Sequence, residues 1–169
     1  SIEYYRNGNK KRVVHYMDGK YHGPYMLWKQ EGWKRLECQY KNGVIDGIFT
    51  EWMAKDRKKN EITYIEGKRN GRTTHWYRNG KIKSEIHFKD DKKDGEFKQW
   101  HRDGFLEIQC FYKAGKKHGI FIEWYGKELL KREIGFQMGE IHGKWKELDR
   151  NGNILRYEEW NNGKRIQKW

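Results

Sequence analysis

The chain has 169 residues, 35% hydrophobic and 36% charged, a balance that excludes a thick globular core. Aromatics supply 16% of the residues, including nine Trp and eleven Tyr, and that ring content excludes a disordered chain despite a mean hydropathy of -1.25. The formal net charge of +13 at pH 7 attracts acidic partners, whether another protein, an anionic membrane surface or nucleic acid, without choosing among them.

Along the chain one unit recurs. Residues 1–24 set Tyr4, the turn signal Asn7-Gly8, Val14 and Tyr16, then close on a G-x-x-[HDN]-G signature from Gly19 to Gly23. Residues 25–48 repeat it with Tyr25, Trp28, Cys38, Tyr40, Gly43 and Gly47, and residues 49–72 with Phe49, Trp52, Ile62, Tyr64, Gly67 and Gly71. Asp56 there stands where glycine is expected. Residues 73–96 open on Thr73 in place of an aromatic, continue through Trp76, Asn79-Gly80 and the strand-like Glu85-Ile86-His87-Phe88, and end at Gly95, with Asp91 replacing a glycine. In residues 97–120 the same positions hold Phe97, Trp100, Asp103-Gly104, Cys110, Tyr112, Gly115 and Gly119. Residues 121–144 begin Phe121-Ile122-Glu123-Trp124-Tyr125, carry Glu128 at a glycine position, and run on to Ile134, Phe136, Gly139 and Gly143. Residues 145–169 finish with Trp145, Leu148, Asn151-Gly152, Trp160, Gly163 and Trp169.

Self-similarity at a fixed period marks stacked copies of one supersecondary unit, because one copy cannot bury its own apolar face. Glycine-rich turns bound segments of alternating, β-forming residues, so each cycle reads as a two-stranded hairpin. Short turns between hairpins leave no room for the crossover that parallel pairing needs, and no segment carries the helical period. The sequence therefore predicts an all-β fold: one array over residues 1–169, an elongated single-layer antiparallel β-meander of seven 24-residue hairpin repeats. About fourteen strands spaced about 4.8 Å apart give a length of roughly 48 to 65 Å. The glycines Gly23, Gly47, Gly71, Gly95, Gly119 and Gly143 are expected to be structural, each lying under a neighbouring aromatic ring.

The stretch Trp76 to Trp100, WYRNGKIKSEIHFKDDKKDGEFKQW, resembles the variant MORN repeat, the second MORN-type family, and the resemblance extends over the whole chain. It implies an array of hairpin repeats. It also implies kinship with antitoxin-like bacterial proteins, bacterial surface or secreted proteins and repeat sets of giant viruses, and an association with membrane lipid or protein binding.

Candidate binding residues fall in columns. Tyr25 and Trp28 are three residues apart, so their columns face opposite sides of a regular sheet. Either a bulge brings the two columns together or one face leaves its rings partly exposed, and the second case makes Trp28, Trp52, Trp76, Trp100 and Trp124 a candidate partner-binding face. Basic rows flank it: Lys11, Arg35, Lys59, Lys83 and Lys131 in one, Lys20, Lys68, Lys92, Lys116 and Lys164 in a second, and Arg6, Arg78, Arg102 and Arg150 in a third. Such rows track a polyanion, or keep a repetitive sheet soluble. His22, His118 and His142 share a column, but equivalents two strands apart are about 10 Å from each other, too far for one zinc ion with bonds of about 2.1 Å. The Glu37, Glu61, Glu85 and Glu133 column reads as structural beside neighbouring lysines. No catalytic, metal or cofactor motif stands out, and no small-molecule substrate is implied.

Cys38 and Cys110 replace the small apolar residues of their column and, about 29 Å apart by strand count, cannot form a disulfide. Two unpaired thiols favour a reducing compartment such as the cytoplasm. Ser1 and Trp169 share a column, which leaves self-association through the sheet ends open. The function expected is a non-catalytic protein-interaction scaffold with an aromatic face and basic edges, of antitoxin, immunity or viral and cell-surface assembly type. The alternative is binding of anionic lipid headgroups or nucleic acid through the basic columns.

Overall fold

A computed structural model describes residues 1–168; Trp169, assigned above to the Tyr25 column, lies outside the described residues. The chain divides into two compact units, residues 1–81 and residues 82–169. The first holds β1 (Ile2–Tyr4), β2 (Lys10–Met17), β3 (Lys20–Trp28), β4 (Lys34–Lys41), β5 (Val44–Ile45), β6 (Gly47–Ala54), β7 (Arg57–Ile65) and β8 (Lys68–Trp76). The second holds β9 (Ile82–Lys89), β10 (Lys92–Trp100), β11 (Leu106–Lys113), β12 (Lys116–Lys117), β13 (Gly119–Gly126), β14 (Leu129–Gln137), β15 (Glu140–Leu148), β16 (Ile154–Asn161) and β17 (Lys164–Lys168). Among the described residues there is no helix.

Within each unit the strands pair antiparallel in chain order, from β1–β2 to β7–β8 and from β9–β10 to β16–β17, with β5 and β6 sharing β4 as partner and β12 and β13 sharing β11. This is the expected meander. Among the described residues seventeen strands appear rather than fourteen, for two reasons. Two strands are interrupted by bulges into β5 with β6 and β12 with β13, where the Asp46 and His118 amides reach across to the Gln39 and Phe111 carbonyls at 2.9 Å. In addition, the 24-residue cycle cuts mid-hairpin, which leaves β1 as a fragment.

The two kinds of turn are assigned differently from the expectation. The tight two-residue turns, with positive φ at both residues, are Asp18-Gly19, Asn42-Gly43, Glu66-Gly67, Asp90-Asp91, Ala114-Gly115, Met138-Gly139 and Asn162-Gly163. Asn7-Gly8 and its equivalents instead belong to three-residue loops in which only the glycine is left-handed. There the Tyr5 amide bonds the Asn9 carbonyl at 2.8 Å and the Gly8 amide bonds the Tyr5 carbonyl at 3.0 Å. Asp56, Asp91 and Glu128 keep the register of their cycles by adopting φ of 56°, 63° and 59° themselves.

The glycines of the Gly23 column lie in bulges. Between the pairs Tyr16↔Tyr21 and Val14↔Tyr25, three residues of β3 oppose His15 alone. Gly23, Gly47, Gly71, Gly95, Gly119 and Gly143 have φ from 79° to 116°, so the backbone there demands the left-handed region. No Phe, Tyr or Trp ring is among the nearest neighbours of an added Cβ at these glycines. A Cβ on Gly23, Gly47, Gly71 or Gly95 would meet the Cβ of His15, Gln39, Thr63 or His87, closest at Gly95 (3.0 Å), and on Gly119 or Gly143 it would meet nothing within 4 Å.

The core is one row deep. Val14, Cys38, Ile86, Cys110 and Ile134 are buried, and across the strands they pair with the Tyr25 column: Val14↔Tyr25, Tyr25↔Cys38, Phe97↔Cys110 and Phe121↔Ile134. Those rings meet the Tyr40 column edge-on, as Tyr25–Tyr40 (5.6 Å), Phe97–Tyr112 (6.2 Å) and Phe121–Phe136 (6.5 Å). Cys38 and Cys110 are free, and burial pushes the Cys38 thiol up to about 11.

Candidate interaction surfaces

Alternation along each strand puts Trp52 on the face of Thr50, two residues back, and away from the Phe49 ring in the core row. The tryptophans are not bare. All five, Trp28, Trp52, Trp76, Trp100 and Trp124, are half-buried, and what covers them differs between the units. In the first unit a register shift brings Lys34 opposite Trp28 and Lys58 opposite Trp52. Lys10, Lys34 and Lys58 then hold their ammonium groups 5.9, 5.6 and 5.6 Å from the ring centres of Trp28, Trp52 and Trp76. Lys34 and Lys58 are ion-paired to Glu37 and Glu61, so two of the three cations in this ladder are spent internally.

In the second unit the lysine positions hold Ile82, Leu106 and Leu130, with Leu106 opposite Trp100 and Leu130 opposite Trp124. Phe105, Leu106 and Trp124 line an open groove of about 570 Å³, with Asp103, Lys127 and Glu128 also on its wall. The column changes from cation over ring to aliphatic beside ring. That switch was legible as a 24-residue column, but it emerges only when lysines are counted as packing residues through their stems.

The basic rows separate into spent and unspent charge. Lys11, Lys59 and Lys131 reach Glu3, Glu51 and Glu123 at 3.9, 3.2 and 2.8 Å, while Arg35 stands exposed. By contrast Lys20, Lys68, Lys92, Lys116 and Lys164, each the first residue of its strand beside a two-residue turn, are exposed. None has a carboxylate within 4.0 Å among the described residues. Histidines of the turn column accept backbone amides: His22 Nδ1 faces the Asn42 N–H at 3.4 Å and His118 Nδ1 the Met138 N–H at 3.5 Å. Among the described residues no group of three His, Cys, Asp or Glu is placed to hold a metal ion.

Glu158 escaped the sequence reading although it sits in the Val14 and Cys38 column. It is 2% exposed and takes Arg156 at 2.7 Å and Arg165 at 3.3 Å, and its Oε2 accepts the Trp160 indole N–H at 3.0 Å. The hydrogen bond from Arg156, then those from Trp160 and Arg165, hold its carboxyl below the usual range against the opposing effect of desolvation. The Arg156 guanidinium stacks 3.6 Å from the Trp145 ring centre.

Three segments, residues 69–90, 93–114 and 141–164, match the MORN repeat variant family. These three segments are variant MORN repeats. The segment 93–114 begins one residue into β10, crosses the Asp103-Gly104 loop and ends at the Ala114 turn residue, so the matched unit is the hairpin itself. No curated protein matches the chain. MORN repeats are in general protein- and membrane-binding motifs, and the family is non-enzymatic.

Proposed function

We propose that this MORN-repeat chain is a non-catalytic protein-interaction scaffold whose half-buried tryptophan columns and basic turn edge engage an acidic protein partner. The observation that carries the reading is the division of its lysines. In one row Lys11, Lys59 and Lys131 are neutralised on the sheet face by Glu3, Glu51 and Glu123, while the Lys20 row stands exposed without a carboxylate. An exposed cationic row speeds encounter with acidic surfaces and adds affinity that salt screens. Antitoxin or immunity-type sequestration of an acidic effector, and assembly of a virus or cell surface, are the two biological forms this takes.

Co-purification from the native source at rising salt tests it, beside flotation with anionic vesicles and binding of single-stranded oligonucleotide. The scaffold reading expects an acidic protein that releases as ionic strength rises. Recovery of no protein, with tight vesicle or oligonucleotide binding, overturns it in favour of the polyanion reading.

A further inference from the structure

Cross-strand pairing at the tight-turn edge is not uniform. The positions flanking the turns hold Met17↔Lys20, Lys41↔Val44, Ile65↔Lys68, Gln137↔Glu140 and Asn161↔Lys164, with at most one cation in each pair. Two adjacent hairpins of the second unit instead set lysine directly against lysine, Lys89↔Lys92 and Lys113↔Lys116. Like charges directly opposed destabilise a sheet, so folding gains nothing from this arrangement. The four belong to successive strands β9 to β12, whose ends span about 14 Å at about 4.8 Å per strand. No carboxylate comes within 4.0 Å of these four ammonium groups among the described residues: Asp94 accepts the Ala114 amide at 3.0 Å, and Glu96 is held by Lys98 and Gln109, both at 2.8 Å.

A second departure lies beside the first. The column that holds His15, Gln39, Thr63 and His87 in earlier cycles places Phe111 here, 46% exposed. Gln109 pairs with Ile122, so Phe111 and Ile120, two residues from each, share one face, and Ile120 is 53% exposed opposite the side-chain-free Gly135. Lys113 is two residues beyond Phe111 on that same face.

We infer that this corner of the second unit, Phe111 and Ile120 rimmed by Lys89, Lys92, Lys113 and Lys116, docks an acidic protein segment carrying an apolar side chain. The inference rests on the scaffold reading and names its site. The apolar pair supplies the anchor and the opposed lysines relieve their mutual repulsion on carboxylates of the partner. A nucleic acid or lipid headgroup would use the lysines but leave Phe111 idle.

Fluorescence anisotropy of a synthetic Asp/Glu-rich peptide bearing one leucine, and of the same peptide without it, tests the site. Lys89→Ser with Lys113→Ser is expected to weaken binding about tenfold or more. Its melting temperature should hold or rise, because each opposed pair is relieved. Phe111→Gln is expected to abolish the preference for the leucine-bearing peptide. Unchanged binding in both variants overturns the site, as does equal weakening by Lys29→Ser with Lys55→Ser, which remove charge elsewhere. In either case the scaffold reading survives if the wild type still binds the peptide. Equal affinity and equal lysine dependence for oligothymidylate or phosphatidylserine vesicles assign the corner to a polyanion instead. A wild-type chain that binds no acidic peptide overturns both readings.

Discussion

Three glycines of the second unit separate two reasons for having no side chain. At Gly143 the backbone is left-handed, with φ of 79°, yet an added Cβ meets nothing within 4 Å. At Gly95 φ is 116°, beyond the ordinary left-handed region, and the added Cβ would stand 3.0 Å from that of His87. Gly135 has no positive φ, but its Cβ would be driven to 2.0 Å from the His142 carbonyl oxygen. An L-residue in the left-handed region costs roughly 1–2 kcal/mol, and alanine recovers about 0.4–1 kcal/mol through the unfolded chain. Gly143→Ala should therefore destabilise by about 1 kcal/mol. Gly95→Ala adds a rarer φ and a tight contact, for about 3 kcal/mol. Gly135→Ala forces the β14–β15 backbones apart and should cost at least about 3 kcal/mol. At about 3 °C per kcal/mol for a chain of this size, the melting temperature falls about 3 °C for Gly143→Ala and about 9 °C for Gly95→Ala. Thermal unfolding followed by tryptophan fluorescence and far-UV circular dichroism reads the series. Equal losses at Gly143 and Gly95, or none at Gly135, would refute the division into backbone and contact causes.

Glu128→Gly should stabilise by about 1 kcal/mol in urea unfolding, because it removes a left-handed glutamate at φ 59°; a loss of stability would show that the Glu128 side chain has a compensating role. The Glu158 carboxyl is held low by Arg156, Trp160 and Arg165, so its contribution is present above the ordinary carboxylate range and is lost as pH falls through its folded value. Below about pH 4.5 the Trp145 and Trp160 fluorescence should therefore change in the wild type, and an identical acid transition in Glu158→Gln would remove Glu158 as the cause. Cys38, with its thiol raised to about 11 by burial, should resist alkylation at pH 8 until urea unfolds the first unit, and rapid native modification would contradict the buried row.

Hairpins, antiparallel order and the core columns were legible because each depends on residues at fixed spacing: Val14 to Ile134 in one column, Tyr25 to Trp145 in another. The roles of the two turns were less so. Asn-Gly pairs suit both a two-residue turn and the end of a three-residue loop, and only the hydrogen bonds of Tyr5 with Asn9 and Gly8 decide between them. Bulge glycines were recognised as structural, but an overlying ring was assigned where the cause is backbone conformation, since sequence shows which residue recurs and not its φ. The candidate surface was legible in part. The rows of lysine were evident, whereas the pairing of Lys59 with Glu51 and of Lys131 with Glu123 depends on rotamers that a column cannot display. Most obscure were the exceptions, because a reading tuned to periodicity averages away Phe111 and Glu158.

Pairing each strand with its immediate predecessor keeps native contacts close along the polypeptide within each unit. Loop closure then takes little chain entropy at every step, and ordering can begin at any tight turn and spread outward without waiting for a distant segment. A lesion should consequently slow or fray the strands beside it and spare those further along, so hydrogen exchange measured strand by strand would map damage as a gradient rather than a collapse.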